Sequence, residues 1–275
     1  MIEEPTTRRW PAGQRAAVVV SIDVDGQYGE LQHHGADDWY WRSQASYGLE
    51  TGIWRLLRLL ADFDVAATFC WVGLAAEERP DALIAARDGG HELACHGWDH
   101  HAYRDLSPNE QRTDIERTRA ALERIAGQRP LGHKTPFWRF TEETPALLQE
   151  LGFHWQMDFA SRDLPWLTRP DRARPPLVQL APSRLLDDYS YFVDWVMPPS
   201  QAFELWRDEL DVLRADGGLL CLTLHPWITG RPAPSRALTM FLDYAISLGD
   251  VWIARADHVA LWWLERAREQ GHVGG

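Results

Sequence analysis

The chain has few cysteines and lacks the usual motifs of covalent or nucleotide-dependent catalysis. Its 3 cysteines, Cys70, Cys95 and Cys221, lie far apart in apolar segments and form no C-x-x-C pair. This odd number and spacing argue against a disulfide framework, so we expect reduced, buried, structural thiols. No G-x-S-x-G elbow, P-loop or G-x-G-x-x-G turn is present, which argues against a serine nucleophile and against these phosphate-binding motifs.

Positive charge is scarce as well, with 28 lysine and arginine residues against 40 aspartate and glutamate residues. The net charge of −12 argues against a nucleic-acid partner, because phosphate binding relies on lysine and arginine. No apolar run approaches the roughly 18 residues of a membrane span, and we expect no membrane partner. The sequence MIEEPTTRRW has no apolar segment typical of a secretory signal, so we expect a cytoplasmic protein.

Helical and strand-like segments alternate along most of the 275 residues. Ser107, followed by a proline and by a glutamate three positions on, predicts a helix start with a capping box, and this helix should end at Gly127. Another helix is predicted to begin at Ser200, and residues 164–182 are predicted to form a long loop. The alternation favours an α/β protein of parallel strands and crossover helices, organised as a single domain over 1–275.

Polar residues follow four of the predicted strands. In parallel α/β architectures ligands bind at the carboxyl ends of the strands, so these residues form the candidate site. They are Asp23 with Asp25, His96, the segment from Lys134 through Pro136 to Phe137, and His225.

Asp23 and Asp25 end the apolar first strand and are separated by one valine. Because side chains alternate across a strand, both carboxylates should face the same side. Two half-buried acids held together would repel each other, and one would take up a proton unless a cation neutralised them. Taken alone, the motif is a weak signal and is better explained by an Asp-Gly turn at the end of a strand.

His96 and His100 stand four residues apart after another predicted strand. This spacing is typical of metal ligands, since one turn of backbone directs both imidazoles to one point. His91 and His101 are also nearby. The alternative to a metal site is therefore a segment that is simply rich in histidine. An aspartate from another strand end would complete three ligands and leave a position for water, so the two motifs together predict a metal site.

His225 directly follows an apolar strand and precedes Pro226. Without further context, this position favours a neutral core histidine that is hydrogen-bonded to backbone. Opposite a metal site, a histidine with a pKa near neutrality would instead suit a general acid that protonates a leaving amine.

Together these motifs resemble the polysaccharide deacetylase family (carbohydrate esterase family 4), in the branch with allantoinase-like, peptidoglycan-deacetylase-like and cyclic-imide-hydrolase-like members. The matching segments are, in chain order, SIDVDG, GHELACHGWDH, GHKTPFWRFTEETPALLQELGF, RDLPW, LTLHPWITGRP and VWIARADHVALWW. The resemblance covers nearly the whole chain. It implies a distorted (β/α) barrel of about seven parallel strands and a metal-assisted hydrolase of non-peptide C–N bonds.

The resemblance also implies a role for each motif residue. Asp23 matches the catalytic base, Asp25, His96 and His100 match the metal ligands, and His225 matches the acid that protonates the departing nitrogen. We expect one divalent ion, zinc first, although a set of one aspartate and two histidines also accepts cobalt, manganese, iron or nickel.

Two segments depart from the family pattern. Lys134 stands where the family has an arginine that orients the catalytic acid, and lysine keeps the charge but loses the bidentate geometry. Residues 155–158, WQMD, replace a Tyr-Asp-Ser-Ser segment, which predicts a more apolar pocket wall. Both changes lie near the expected substrate side.

The sequence therefore predicts hydrolysis of an amide in a small molecule or saccharide, with deacetylation of an N-acetylated sugar or sugar conjugate as the leading reaction. A cyclic imide or ureide hydrolase, a metal-free hydrolase and a non-catalytic ligand-binding protein are the alternatives. The oligomeric state is open, and a homo-oligomer is compatible with the sequence. The candidate substrate contacts are Trp98, Pro136, Phe137, Trp138, Trp166 and Trp227. For each of the tryptophans, core packing is the alternative.

Overall fold

The computed structural model describes residues 9–35 and 37–269, so both ends of the predicted domain and residue 36 lie outside the described residues. The strands are β1 Ala16–Val24, β2 Thr68–Trp71, β3 Glu92–Cys95, β4 Gly132–His133, β5 Trp155–Gln156, β6 Trp166–Thr168, β7 Leu177–Gln179, β8 Leu219–Leu224 and β9 Val251–Ile253. The helices are α1 Tyr28–His34, α2 Trp39–Tyr47, α3 Ile53–Asp62, α4 Gly73–Glu78, α5 Pro80–Asp88, α6 Pro108–Ala126, α7 Thr144–Glu150, α8 Pro199–Asp216, α9 Pro234–Ser247 and α10 Ala256–Glu269. None of the helices in these ranges has the length and apolar character needed to cross a bilayer.

The strands of the described ranges form one curled sheet with the order β6-β7-β5-β4-β3-β2-β1-β8, and β9 pairs with β1. The pairs are parallel apart from β6 with β7, which is antiparallel. This architecture confirms the distorted (β/α) barrel class. The strand count exceeds the expectation of about seven because strands of only two or three residues complete the sheet.

Strand β1 pairs with β2, β8 and β9 and is buried along its whole length. Val18, Val20 and Ile22 pack in the large core shared with the surrounding helices, while Ala17 and Val19 belong to a second core that includes α10. This period of two follows from the pleat of a strand. The alternation places Asp23 on the same face of β1 as Ala17 and Val19, near the carboxyl end of the strand.

Several local predictions are confirmed by the structure. The Ser107 hydroxyl accepts a hydrogen bond from the Glu110 N–H in a complete capping box, and α6 ends at Gly127 in the left-handed conformation. All 3 cysteines are free and buried.

Two local predictions are wrong. Helix α8 begins at Pro199, with Pro198 as its N-cap, so Ser200 lies inside the helix; a proline at the first helical position sets the start without a side-chain cap. The predicted loop 164–182 contains β6 and β7, which have too few residues to show a strand pattern in the sequence.

Candidate active site

The carboxyl ends of β1, β3, β4 and β8 bring the predicted catalytic and metal-binding residues together at one rim of the sheet. Parallel strands that begin on one edge also end on one edge, so residues distant in sequence meet there. All of these residues are buried, with at most 9% of their surface exposed: Asp23, Asp25, His96, His100, Lys134 and His225.

Asp25, His96 and His100 form a cluster that could hold a metal ion. Asp25 Oδ1 lies 3.5 Å from His96 Nε2 and 3.6 Å from His100 Nε2, and it is buried without a hydrogen-bond partner among the described residues. Burial lowers the pKa of His96 to about 4 and that of His100 to about 3, so both imidazoles are neutral at neutral pH. An unpartnered carboxylate oxygen beside two neutral imidazoles fits a divalent cation.

A hydrogen bond to the backbone orients the imidazole of His96. His96 Nδ1 donates to the Lys134 carbonyl at 2.7 Å, which leaves the Nε2 lone pair facing Asp25. The segment from His96 to His100 is a loop rather than the single backbone turn expected from the spacing, and His100 has a positive φ of 64°. The N–H groups of Gly73 and Leu74 at the start of α4 hold this loop by bonding the carbonyls of Gly97 and Trp98.

Asp23 forms a buried ion pair with Lys134, whose Nζ lies 2.7 Å from Asp23 Oδ2. Burial alone would raise the pKa of Asp23, but the positive charge of Lys134, assisted by that of the protonated His225, lowers it to about 2. Burial likewise opposes the charge of Lys134, yet Asp23 raises the pKa of Lys134 above its ordinary value. Both groups therefore stay ionised inside the protein.

His225 is held by Asp188, a residue that sequence analysis missed. His225 Nδ1 donates to Asp188 Oδ1 at 2.6 Å, and His225 Nε2 lies 3.7 Å from Asp25 Oδ2. Burial would lower the pKa of His225, but the charge of Asp188, followed by those of Asp25 and Asp187, raises it well above 6.5. The imidazole is therefore protonated at neutral pH, with Nε2 directed towards the metal cluster.

Asp187, Asp188 and His225 also lie close enough together to hold a metal ion. However, Asp188 Oδ2 already accepts hydrogen bonds from the His225 N–H, the Thr229 N–H and the Thr229 hydroxyl. These bonds and the one from His225 Nδ1 occupy both oxygens, so Asp188 serves to position His225. In the sequence, Asp188 stands out only as the second member of the acid pair Asp187-Asp188. This pair belongs to no recognisable motif, so it did not indicate a role for Asp188.

Four of the predicted substrate contacts lie near the cluster. The Phe137 ring meets His100 edge-on at 4.3 Å between centroids, and Pro136 packs against Gly97. Lys134 Nζ lies 5.4 Å from the centroid of the Trp138 ring. The fourth, Trp227, is 6.0 Å from Tyr189, which itself lies 6.4 Å from His225.

The other two predicted contacts take part in packing against residues outside the cluster. Trp98 lies against Gly73, where a Cβ would collide with the indole, and under the Arg117 guanidinium at 3.7 Å. Trp166 contacts Phe159 and Arg162.

The WQMD segment also differs from its predicted role as an apolar pocket wall. Trp155 is fully buried, covers Gly132 where a Cβ would meet the indole, and donates from Nε1 to Glu92 at 2.8 Å. Asp158 accepts hydrogen bonds from the Thr135 N–H and hydroxyl at 2.7 and 2.6 Å. The segment therefore supports the strand that carries Lys134 from within the core.

Helices α1 and α2, which sequence analysis did not predict, contribute to an aromatic collar beside the cluster. We define the collar as five rings that contact one another in a closed circuit, with centroid distances between 4.3 and 6.4 Å. Its members are His33, His34, Trp41, Tyr189 and Trp227.

Comparison with known proteins identifies the family of this chain. Residues 37–155 match the polysaccharide deacetylase family. The "putative polysaccharide deacetylase" of Mycobacterium smegmatis is 33% identical, with a TM-score of 0.88 over 95% of this chain and 93% of that one. The allantoinase PuuE is 27% identical, with a TM-score of 0.85 over 93% of this chain and 92% of that one.

A curated relative, the peptidoglycan deacetylase-like protein FGM2 of Gibberella zeae, is 29% identical over 159 residues. The match covers 55% of this chain and only 46% of that protein, so this chain spans less than half of its length. Similarity to the Mycobacterium smegmatis protein, by contrast, extends over nearly the whole of both chains. This chain belongs to the polysaccharide deacetylase family.

Proposed function

We propose that this protein is a metal-dependent hydrolase of a non-peptide C–N bond, and that it removes the acetyl group from an N-acetylated sugar or sugar conjugate. The observation that carries the proposal is the unpartnered Asp25 Oδ1 between two neutral imidazoles, with ionised Asp23 and protonated His225 beside it. Similarity to deacetylase-named proteins supports the same reaction class.

Asp25, His96 and His100 would hold the metal ion, for which we propose zinc, since one carboxylate and two imidazoles leave an open position in a tetrahedral site. When bound, such an ion polarises the scissile carbonyl and acidifies water.

The ionised Asp23 is the acceptor for the proton of the attacking water. Lys134 holds this carboxylate in place and keeps it charged, because protonation would leave the buried ammonium without its partner.

His225 completes the reaction by donating its Nε2 proton to the departing nitrogen as the C–N bond breaks, which leaves a carboxylic acid and an amine. Asp188 holds the opposite N–H and stabilises the imidazolium before transfer. A positioned general acid or base contributes about 10²- to 10⁴-fold to rate, so Asp23→Asn and His225→Ala should each nearly abolish turnover while the fold persists.

A cyclic imide or ureide is the second candidate substrate. The aromatic collar favours it, because flat rings stack on aromatic side chains, and the similarity to the allantoinase PuuE points in the same direction. Hydrolysis of a ring amide needs the same base and the same acid.

The test is an assay of the zinc-loaded protein with N-acetyl sugars, cyclic imides and hydantoins. Release of acetate from a sugar, absent in Asp23→Asn, would support deacetylation, whereas ring opening would support the second candidate. Zinc-loaded protein that turns over none of them would contradict both reactions. If the protein cannot be loaded with zinc or another divalent ion and hydrolyses none of the substrates, a non-catalytic ligand-binding role would be favoured.

A further inference from the structure

Glu30 in α1 is a buried acid that the proposed reaction does not use. Its side chain is 4% exposed, and Oε2 lacks a hydrogen-bond partner in the described part of the chain. Oε2 lies 3.2 Å from His34 Nε2, one helical turn away, but not in hydrogen-bonding geometry. A buried carboxyl with so few partners is costly to the fold, so stability does not account for it.

Helix α1 lies directly against the metal cluster. A Cβ added to Gly29 would be 3.2 Å from Asp25 Oδ2 and 3.5 Å from His100 Cε1. Glu30 directly follows Gly29 in this helix. The backbone that carries Glu30 is therefore next to Asp25 and His100, two of the three candidate ligands.

The charge of Glu30 interacts with groups from several sides of the site. Burial, and then the negative charge of Asp25, raises the pKa of Glu30 to about 7, while the positive charge of His225 opposes this rise. After burial, the charge of Glu30 is the largest cause that raises the pKa of Tyr189 to about 12. The carboxyl is therefore coupled electrostatically both to the reacting groups and to Tyr189 of the aromatic collar.

The collar holds His34, whose Nε2 lies 3.2 Å from Glu30 Oε2, in place. The His34 ring stacks on Trp41 with 4.3 Å between centroids and 2° between planes. Trp41 in turn meets Trp227, which directly follows the loop of His225 and Pro226. An acceptor carboxyl is thus combined with apolar ring faces.

We infer that Glu30 binds the substrate directly, as the acceptor of a hydrogen bond from an N–H or O–H group next to the scissile amide. The inference rests on the proposed function, since it assigns Glu30 to the substrate of that site. A donor on the substrate would satisfy the carboxyl, while the collar packs against the adjoining ring. A ureide ring offers such N–H groups and an amino sugar offers such hydroxyls.

The test combines variants of Glu30 with matched substrates on the zinc-loaded protein. Glu30→Gln keeps one acceptor oxygen and removes the charge, whereas Glu30→Leu removes both and keeps most of the volume. Hydantoin is compared with 1-methylhydantoin, and methyl N-acetylglucosaminide with its 3-deoxy analogue, because the second member of each pair lacks one donor. Glu50→Gln, at an exposed position in the turn Gly48–Gly52, is the matched control.

For the pair that the wild-type protein hydrolyses, kcat/KM of the donor-bearing member should fall about 10- to 100-fold in Glu30→Leu and less in Glu30→Gln. The donor-free member should change little, so the variant loses discrimination within the pair. Glu50→Gln should discriminate as the wild type does, and zinc content by elemental analysis should equal that of the wild type in every variant.

Equal losses on both members of the pair, or a reduced zinc content, would assign Glu30 to assembly of the site and overturn the inference. Unchanged discrimination in Glu30→Leu would overturn it as well. A wild-type protein that contains zinc but hydrolyses neither pair would contradict the proposed function itself, and this inference with it.

Discussion

Lys134 Nζ and Asp23 Oδ2 lie 2.7 Å apart in a pair closed off from solvent. The other hydrogens of the ammonium reach Thr223 Oγ1 at 3.0 Å and Ser21 Oγ at 3.3 Å. Three acceptors from β1 and β8 therefore match the three donors of a lysine, where an arginine would present a planar fork. Lys134 thus stands where the family pattern has an arginine, and the Ser21 and Thr223 hydroxyls supply the acceptors that its ammonium group needs.

Lys134→Arg should reduce kcat by about 100-fold although the positive charge is kept, because a guanidinium does not match these three acceptors in a fully buried space. Lys134→Met should be at least as harmful, since it leaves Asp23 buried without its partner. Steady-state kinetics at constant zinc loading would measure both. Wild-type activity in Lys134→Arg would show that the orientation of Asp23 does not depend on the lysine.

Lys134 is the only lysine of the chain, so protein labelled with ¹⁵N-lysine has one side-chain amine signal. In Asp23→Asn, burial should lower the pKa of Lys134, because the carboxylate that raises it is gone. A pH titration of the ¹⁵Nζ shift would measure the change against the wild type. The same pKa in both proteins would contradict the charge coupling of this pair.

Asp188→Asn should move the alkaline limb of the pH–rate profile to lower pH. Asp188 helps to raise the pKa of His225 well above 6.5, and the reaction needs His225 protonated. Without this charge the proton is lost at lower pH, so activity falls sooner as pH rises. Profiles of kcat/KM for the two proteins would measure the shift, and coincident alkaline limbs would exclude His225 as the general acid.

His100→Ala should bind far less zinc, because it removes one of three candidate ligands. His101→Ala is the matched control, since His101 is the next residue but is exposed and paired with Asp99 at 2.7 Å. Elemental analysis after dialysis against zinc would distinguish them. Equal zinc content in the two variants would place the metal elsewhere.

Acid should destabilise the fold in part through His91, which lies away from the metal cluster. Burial, aided by the charge of Arg255, lowers the pKa of His91 from 6.5 to about 4, and its Nδ1 accepts a hydrogen bond from the Ala67 N–H. Between these pH values the unfolded chain binds a proton that the folded chain does not, so the free energy of unfolding falls as pH falls.

His91→Gln can accept the same hydrogen bond and should flatten this pH dependence in urea denaturation. The exposed His258→Gln should behave as the wild type does. An unchanged slope in His91→Gln would mean that other groups account for acid sensitivity.

The rim residues could be predicted because strand geometry is regular. The period of two places Asp23 and Asp25 on one side of β1, and parallel pairing brings His225 at the end of β8 to the same edge. The capping box of Ser107 was equally predictable, since its contacts lie within one helical turn.

Asp188, Glu30 and the aromatic collar could not be predicted in this way. Asp188 meets His225 across 37 residues of chain, and neither Glu30 nor Trp41 belongs to a recognisable repeat. Their partners depend on how α1, α2 and the segment before α8 fold over the rim. Contacts of this kind leave no periodic pattern in the sequence.

The sequence by itself therefore determined the α/β class, the strand ends that carry the chemistry and the acids and histidines at those ends, because local periodicity encodes each of them. Only the tertiary structure decided which groups are ionised and what holds them. The charge of a buried side chain depends on neighbours distant in sequence, such as Lys134 for Asp23 and Asp188 for His225.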